Sequence, residues 1–364
     1  MTDHHQRFGQ LRSTSEILKK SAVHFTAHPF TFLFLSFLLL SFRSLVESGS
    51  LLLNSFIDRD PSFKSLLSRL DLHHSHPHAL KFKATTFDYE NNEGEQQEER
   101  IVDFQFVYKG LELGRRDAAA LFFLVSFLSA AYGWVILGFT TIYSLVSGVL
   151  FVTTVNDLIG RFVSFFGAFW DGSKIGLKRL TGFVLIKWAV RDAVTQLLGF
   201  WYFGEIEDHY SFFKLFVRLK LMPFSVTSPW IRGYEKEISG FLFTWFLVDT
   251  LVSFAFSLAA WIAIVDSRRT GREIITEGCY LMSTLLNQAI QIKCYEAISG
   301  GSLARWVLTH IGGEFFAMVI QAALEVYFMV AWLIFYFVVR CREANAEGRR
   351  YGRRELEALI DGLR

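Results

Sequence analysis

Charge placed inside long apolar runs is the chemistry this sequence offers, because an ionisable side chain in hydrocarbon is costly unless it is paired or hydrated. Lys187, Arg191 and Thr195 recur at i, i+4 and i+8, so a helix would carry them on one face. Asp249 is the single charge between Ile238 and Val265. A polar stripe of Thr284, Asn287, Gln288, Gln291 and Tyr295 follows, and then His310, Glu314, Gln321 and Glu325 at helical spacing. Two readings stand. Lys187 and Arg191 facing Asp249 and Glu325 would line a hydrated path or a binding cavity. The same groups joined between helices would hold a bundle together. Glu314 and Lys187 also have the reach to snorkel toward an interface.

Metal and catalytic chemistry find less support. His73, His74, His76 and His78 offer four imidazoles within six residues, which is suitable for zinc or copper. No Cys or carboxylate stands at ligand spacing beside them, and Pro77 gives no regular element to orient the rings. A solvated, pH-responsive loop is the expectation. The pair His310 and Glu314 lacks the second histidine of a metal-binding helix. Cys279, Cys294 and Cys341 form neither a disulfide framework nor a CxxC pair. Cys341 follows an apolar run and lies between Arg340 and Arg342, the setting of reversible palmitoylation. No G-x-S-x-G elbow, P-loop, GxGxxG or HExxH occurs, so neither a catalytic residue nor a cofactor is expected. Gly172-xxx-Gly176 has a small-xxx-small spacing, but it falls in a basic segment outside a long apolar run.

Those residues need elements to hold them, and the composition says which kind. Of 364 residues, 52% are hydrophobic, 20% are charged and 39 are Phe; an average soluble domain is about 25% charged. Mean hydropathy is +0.31. A net charge of +2 excludes a bulk basic field for nucleic acid. An integral membrane protein is the class that remains. Spans of about 20 residues are expected at about 25–46, 118–155, 180–203, 238–265, 274–298 and 315–339. The run 118–155 is uncharged and is either one long helix or a tight pair broken near Gly133 or Gly138. With six spans and a cytosolic N-terminus, eighteen Lys and Arg residues fall on cytosolic segments and six on the short non-cytosolic loops.

Between the first two spans, residues 47–117 form the expected excursion outside the cytosol. There Leu80–Ala84 and Val102–Tyr108 alternate with the strand period of two, which predicts a β-hairpin closed by the acidic connector 91–99. Residues 211–221 read as an interfacial amphipathic helix, and 340–364 as a basic cytosolic tail. The opening Ser13-Thr14-Ser15-Glu16-Ile17-Leu18-Lys19-Lys20-Ser21, then His28-Pro29-Phe30 and a Phe/Leu run, resembles the start of plant multi-pass membrane proteins of unknown function. That resemblance implies a short amphipathic cytosolic helix feeding the first span of 25–46, and no catalytic residues. The expectation is therefore an all-α membrane protein of about six spans with one small hairpin. It would be a non-enzymatic scaffold or modulator in the endoplasmic reticulum or another secretory-pathway membrane, with the bilayer and other proteins, or its own copies, as partners. A transporter or channel using the polar stripes is the alternative.

Overall fold

The computed structural model describes residues 13–59, 96–204, 206, 209–222, 224, 234–266, 269–348 and 356–357. Among them the fold is all-helical. The elements are α1 (Thr14–Ala27), α2 (Pro29–Arg59), α3 (Gln96–Ile159), α4 (Phe165–Phe203), α5 (His209–Leu221), α6 (Glu235–Ala255), α7 (Ala259–Val265), α8 (Gly271–Thr284), α9 (Leu286–Gly300) and α10 (Ser302–Ala346). The chain forms two compact units. One comprises Met1–Leu51, Leu137–Gly204 and Leu215–Arg364; the other comprises Leu52–Ile136 and Glu205–Lys214.

Local chemistry sets the helix ends. Ser13 caps α1, its hydroxyl accepting from the Glu16 amide at 3.3 Å while the Glu16 carboxylate accepts from the Ser13 amide at 3.2 Å. Two N-terminal donors are satisfied at once by this reciprocal box. Ser13→Ala is expected to loosen the first turn by about 1 kcal/mol, read as roughly fivefold faster amide exchange over residues 14–18; unchanged exchange would show that packing, not the cap, holds it. α1 stops at His28, with φ −126° and ψ 55°, because a residue preceding proline is pushed out of the helical region. Pro29 then opens α2 at the position where its missing N–H costs nothing. The first long apolar helix therefore begins at Pro29, not at Phe25.

Among the described residues four helical segments are long and apolar enough to cross a membrane: Pro29–Leu53, Val125–Ile159, Glu235–Val265 and Ser302–Ala346. Two of the six expected spans fall out. The 180–203 segment lies within α4, but Lys187, Arg191 and Asp192 interrupt its apolar character. The 274–298 segment is broken at Leu285 (φ −133°, ψ 45°) into α8 and α9, and neither piece reaches span length. The 118–155 run lies inside the single helix α3, with no break at Gly133 or Gly138.

The hairpin is also corrected. Val102–Tyr108 lies inside α3, and no strand occurs among the described residues; Leu80–Ala84 lies outside them. The alternation that suggested a strand spans only seven residues. Ile101, Phe104, Tyr108 and Leu111 also satisfy helical spacing, and a helix already propagating through neighbouring good formers extends at little cost. The 211–221 helix is present as α5, with Leu215, Val217 and Leu219 buried.

The core of the larger unit is aliphatic and aromatic. Phe32, Leu35 and Leu39 of α2, Leu150 and Phe151 of α3, Leu180 of α4, and Phe335 and Phe337 of α10 are all essentially inaccessible. α3 crosses α4 on glycine. A Cβ at Gly148 would stand 2.7 Å from the Gly176 Cα, one at Gly172 would stand 2.7 Å from the Val149 amide nitrogen, and one at Gly176 would stand 3.1 Å from the Gly148 Cα. The 172–176 pair thus lets the two backbones meet, the use small residues find where helices pack without a strong hydrophobic drive. In the smaller unit, Phe122, Phe123, Phe127 and Trp134 of α3 are largely exposed.

Candidate functional site: a charged core between helices

The polar stripe of α4 meets α6 in antiparallel register. Arg191 donates through Nε to Asp249 Oδ1 at 2.6 Å and through Nη2 to Oδ2 at 2.9 Å, a two-point fork. One turn along, Trp245 Nε1 donates to the Thr195 hydroxyl at 2.9 Å, and Thr195 returns its proton to the Arg191 carbonyl at 2.8 Å. Tyr202 and Thr244 share a hydrogen bond of 2.8 Å farther on. Asp249 stands near the middle of the apolar segment Glu235–Val265, so its countercharge reaches it at mid-length. On the next side of α4, Lys220 of α5 pairs with Asp192 at 2.9 Å.

Glu325 is engaged by helices that the sequence reading had not joined to it. Arg43 Nη2 of α2 lies 2.6 Å from Glu325 Oε2, and the Tyr143 hydroxyl of α3 donates to Oε1 at 2.7 Å. Glu47, one turn beyond Arg43, takes Arg305 at 2.9 Å. Arg43 was overlooked although the signal was present: Arg43 and Glu47 stand at i, i+4 in an otherwise apolar run. Beside these pairs Lys293 of α9 donates to the Ser253 hydroxyl at 2.8 Å and lies 3.1 Å from Glu296. Glu296 in turn accepts from Trp332 Nε1 at 2.8 Å. Lys187 is the exception. It makes no hydrogen bond or ion pair among the described residues, and its charged neighbours are Arg191, Lys293, Glu296 and Asp249.

The remaining expected residues scatter. Gln291 accepts from the Thr14 hydroxyl of α1 at 2.6 Å, so the α9 stripe faces α1 and not a central path. Gln288 is half-buried. Gln321 donates to the carbonyls of Gly300 and Gly301 at 3.3 and 3.4 Å, closing the end of α9. The expected face joining His310 and Glu314 to Gln321 and Glu325 is broken at Gly313, whose φ of +85° interrupts α10. Glu314 is exposed and touches only the edge of Arg305, at 3.5 Å. His310 is exposed and lies against Trp306 with the two rings tilted at 48°. Cys341 is buried, a placement that does not favour acylation. His73, His74, His76 and His78 lie outside the described residues, and among those described no cluster of metal-ligating side chains occurs.

Two further clusters were not foreseen. His24 of α1 and His28, just past its end, both close on Asp157 near the end of α3. Asp157 sits two residues past the apolar run, where sequence alone reads it as a flanking charge. At another helix end Arg269 joins Asp266 (2.7 Å) and Glu277 (3.1 Å), while Arg340 joins Glu277 (2.9 Å) and Glu343 (2.8 Å). The hydrogen bond to Asp266 holds the Arg269 guanidinium above its usual range.

The described residues are all-helical, with four span-length apolar segments among them and charged pairs between helices, which is compatible with a membrane protein. The chain belongs to the family of unknown function DUF7813, which matches residues 10–87 and 79–360. No curated protein and no solved structure matches it.

Proposed function

We propose that this protein is a non-enzymatic integral membrane protein that scaffolds or modulates partners in a secretory-pathway membrane, such as that of the endoplasmic reticulum. Its four apolar segments cross the bilayer. Both termini are cytosolic in this reading, where basic residues flank the first and last apolar segments. The observation that carries the reading is the engagement of the interior acids. Asp249, Glu296 and Glu325 each already hold a cation on the same or a neighbouring helix, and carboxylates locked in this way brace a bundle instead of relaying an ion. The route to partners no longer runs through a hairpin. It runs through the exposed aromatic stretch of α3 and the basic tail, with the bilayer, another protein or a second copy as the occupant.

The test is transport itself. Liposomes containing the purified protein are expected to pass potassium, chloride and protons at the rate of empty liposomes, and Asp249→Asn is expected to leave that rate unchanged. Flux above background that disappears in Asp249→Asn, with the variant still folded, would make the protein a transporter or channel and end the scaffold reading.

A further inference from the structure

Apolar length alone leaves α4 out of the bilayer, but its neighbours argue for the opposite. α4 runs antiparallel along most of the apolar segment Glu235–Val265. Arg179 Nη1 donates to the Ile264 carbonyl at 2.7 Å, and the rings of Phe183 and Phe256 lie 5.6 Å apart. Arg191 then forks onto Asp249, Thr195 accepts from Trp245, and Tyr202 meets Thr244. From Arg179 to Tyr202 this ladder covers about 35 Å at 1.5 Å per residue, against a hydrocarbon core of about 30 Å. A helix that shares this length with a spanning neighbour also shares its depth.

The outer face of α4 suits that depth. Leu185, Ala189, Ala193, Leu197 and Trp201 recur at every fourth residue, and all are exposed. The charges are held away from this stripe: Arg191 by Asp249 of α6 and Asp192 by Lys220 of α5, with Lys187 half-buried one turn before Arg191. Apolar residues outside and paired charge inside is the arrangement hydrocarbon selects.

The ion pairs at the helix ends also bear on sidedness. Arg269 joins Asp266, at the end of Glu235–Val265, to Glu277 of α8, and Glu277 also takes Arg340 near the end of α10. The two apolar segments therefore finish on one side. Consecutive crossings joined outside the membrane would finish on opposite sides, so the chain must pass back between them. α8 and α9, of 14 and 15 residues, have about 44 Å of helix for that return. The start of α6 then lies opposite the tail, whereas Phe162, reached after two crossings, lies on the side of the N-terminus.

On the proposed reading that the four apolar segments cross the bilayer and both termini share a side, we infer that α4 crosses with them. Its stripe from Leu185 to Trp201 faces lipid acyl chains, and its charges face α5 and α6.

Single cysteines placed in the full-length chain test this, in a background of Cys279→Ser, Cys294→Ser and Cys341→Ala. Phe162→Cys stands before α4, Lys236→Cys at the start of α6 and Arg272→Cys at the start of α8, all at exposed positions. Sealed microsomes carrying each variant are treated with a membrane-impermeant maleimide, before and after the vesicles are opened. Phe162→Cys and Arg272→Cys are expected to react in sealed vesicles, and Lys236→Cys only in opened ones. The mirror pattern would keep α4 in the membrane and overturn only the cytosolic assignment of the termini. Reaction of Phe162→Cys and Lys236→Cys under the same condition would place both ends of α4 on one side and overturn the inference. Release of the parent protein by alkaline extraction would end the membrane reading itself, and the inference with it.

Discussion

Asp249→Asn is expected to destabilise the folded protein by about 3 kcal/mol, the lower end of the cost of breaking a buried ion pair. The change preserves side-chain shape but leaves the Arg191 guanidinium uncompensated at the centre of the α4–α6 contact. The loss is therefore not the worth of the pair. It is the cost of an orphaned charge, and removing the second partner should restore most of it. Arg191→Met combined with Asp249→Leu is expected to recover to within about 1 kcal/mol of the parent, because well-packed apolar replacements of buried pairs are often neutral. Equilibrium unfolding in a denaturing detergent, run on Arg191→Met, Asp249→Leu and the double variant, measures the coupling. Additive losses would mean that Arg191 and Asp249 do not depend on each other, contrary to the two-point fork seen here.

Gly176→Ala should prove almost as damaging, at about 3 kcal/mol, the upper end of overpacking. The new methyl would press on the Ser144 carbonyl and the Gly148 Cα, which are backbone atoms with no rotamer to yield. Gly148→Ala and Gly172→Ala belong to the same contact and should behave alike. Gly182 lies on the same helix α4, with nothing within 4 Å of an added Cβ. Gly182→Ala is therefore the control, expected to be neutral or slightly stabilising, since alanine is the better helix former. Equal stability of the two variants would show that α3 and α4 do not meet on glycine.

The two predictions differ in how far they could have been read from sequence. Asp249 and Arg191 stood out because a charge in an apolar run has few permissible neighbours, and each was marked as a candidate for the other. The glycine crossing was visible only as a spacing. Gly172 and Gly176 sit among Asp171, Lys174, Lys178 and Arg179, and nothing local tells a helix-packing glycine from a loop glycine. The β-hairpin failed for a related reason: seven alternating residues are compatible with either period, and the long helix around them decided. Span counting failed at α4 and α8–α9 because apolar length was traded there for polar groups that bind neighbouring helices.

Amino-acid order alone determined that this chain is too apolar and too sparsely charged for a soluble domain. It also singled out most of the few polar residues that had to find partners, Arg191 and Asp249 among them. Tertiary structure alone decided who those partners are. Glu47 and Arg305 are 258 residues apart, and Glu325 is claimed by Arg43 and Tyr143 from two different helices. Helical periodicity assigns a residue to a face, but the partner on the opposite face depends on how each helix is rotated and slid against the next. That is set by close contacts such as the α3–α4 glycine crossing.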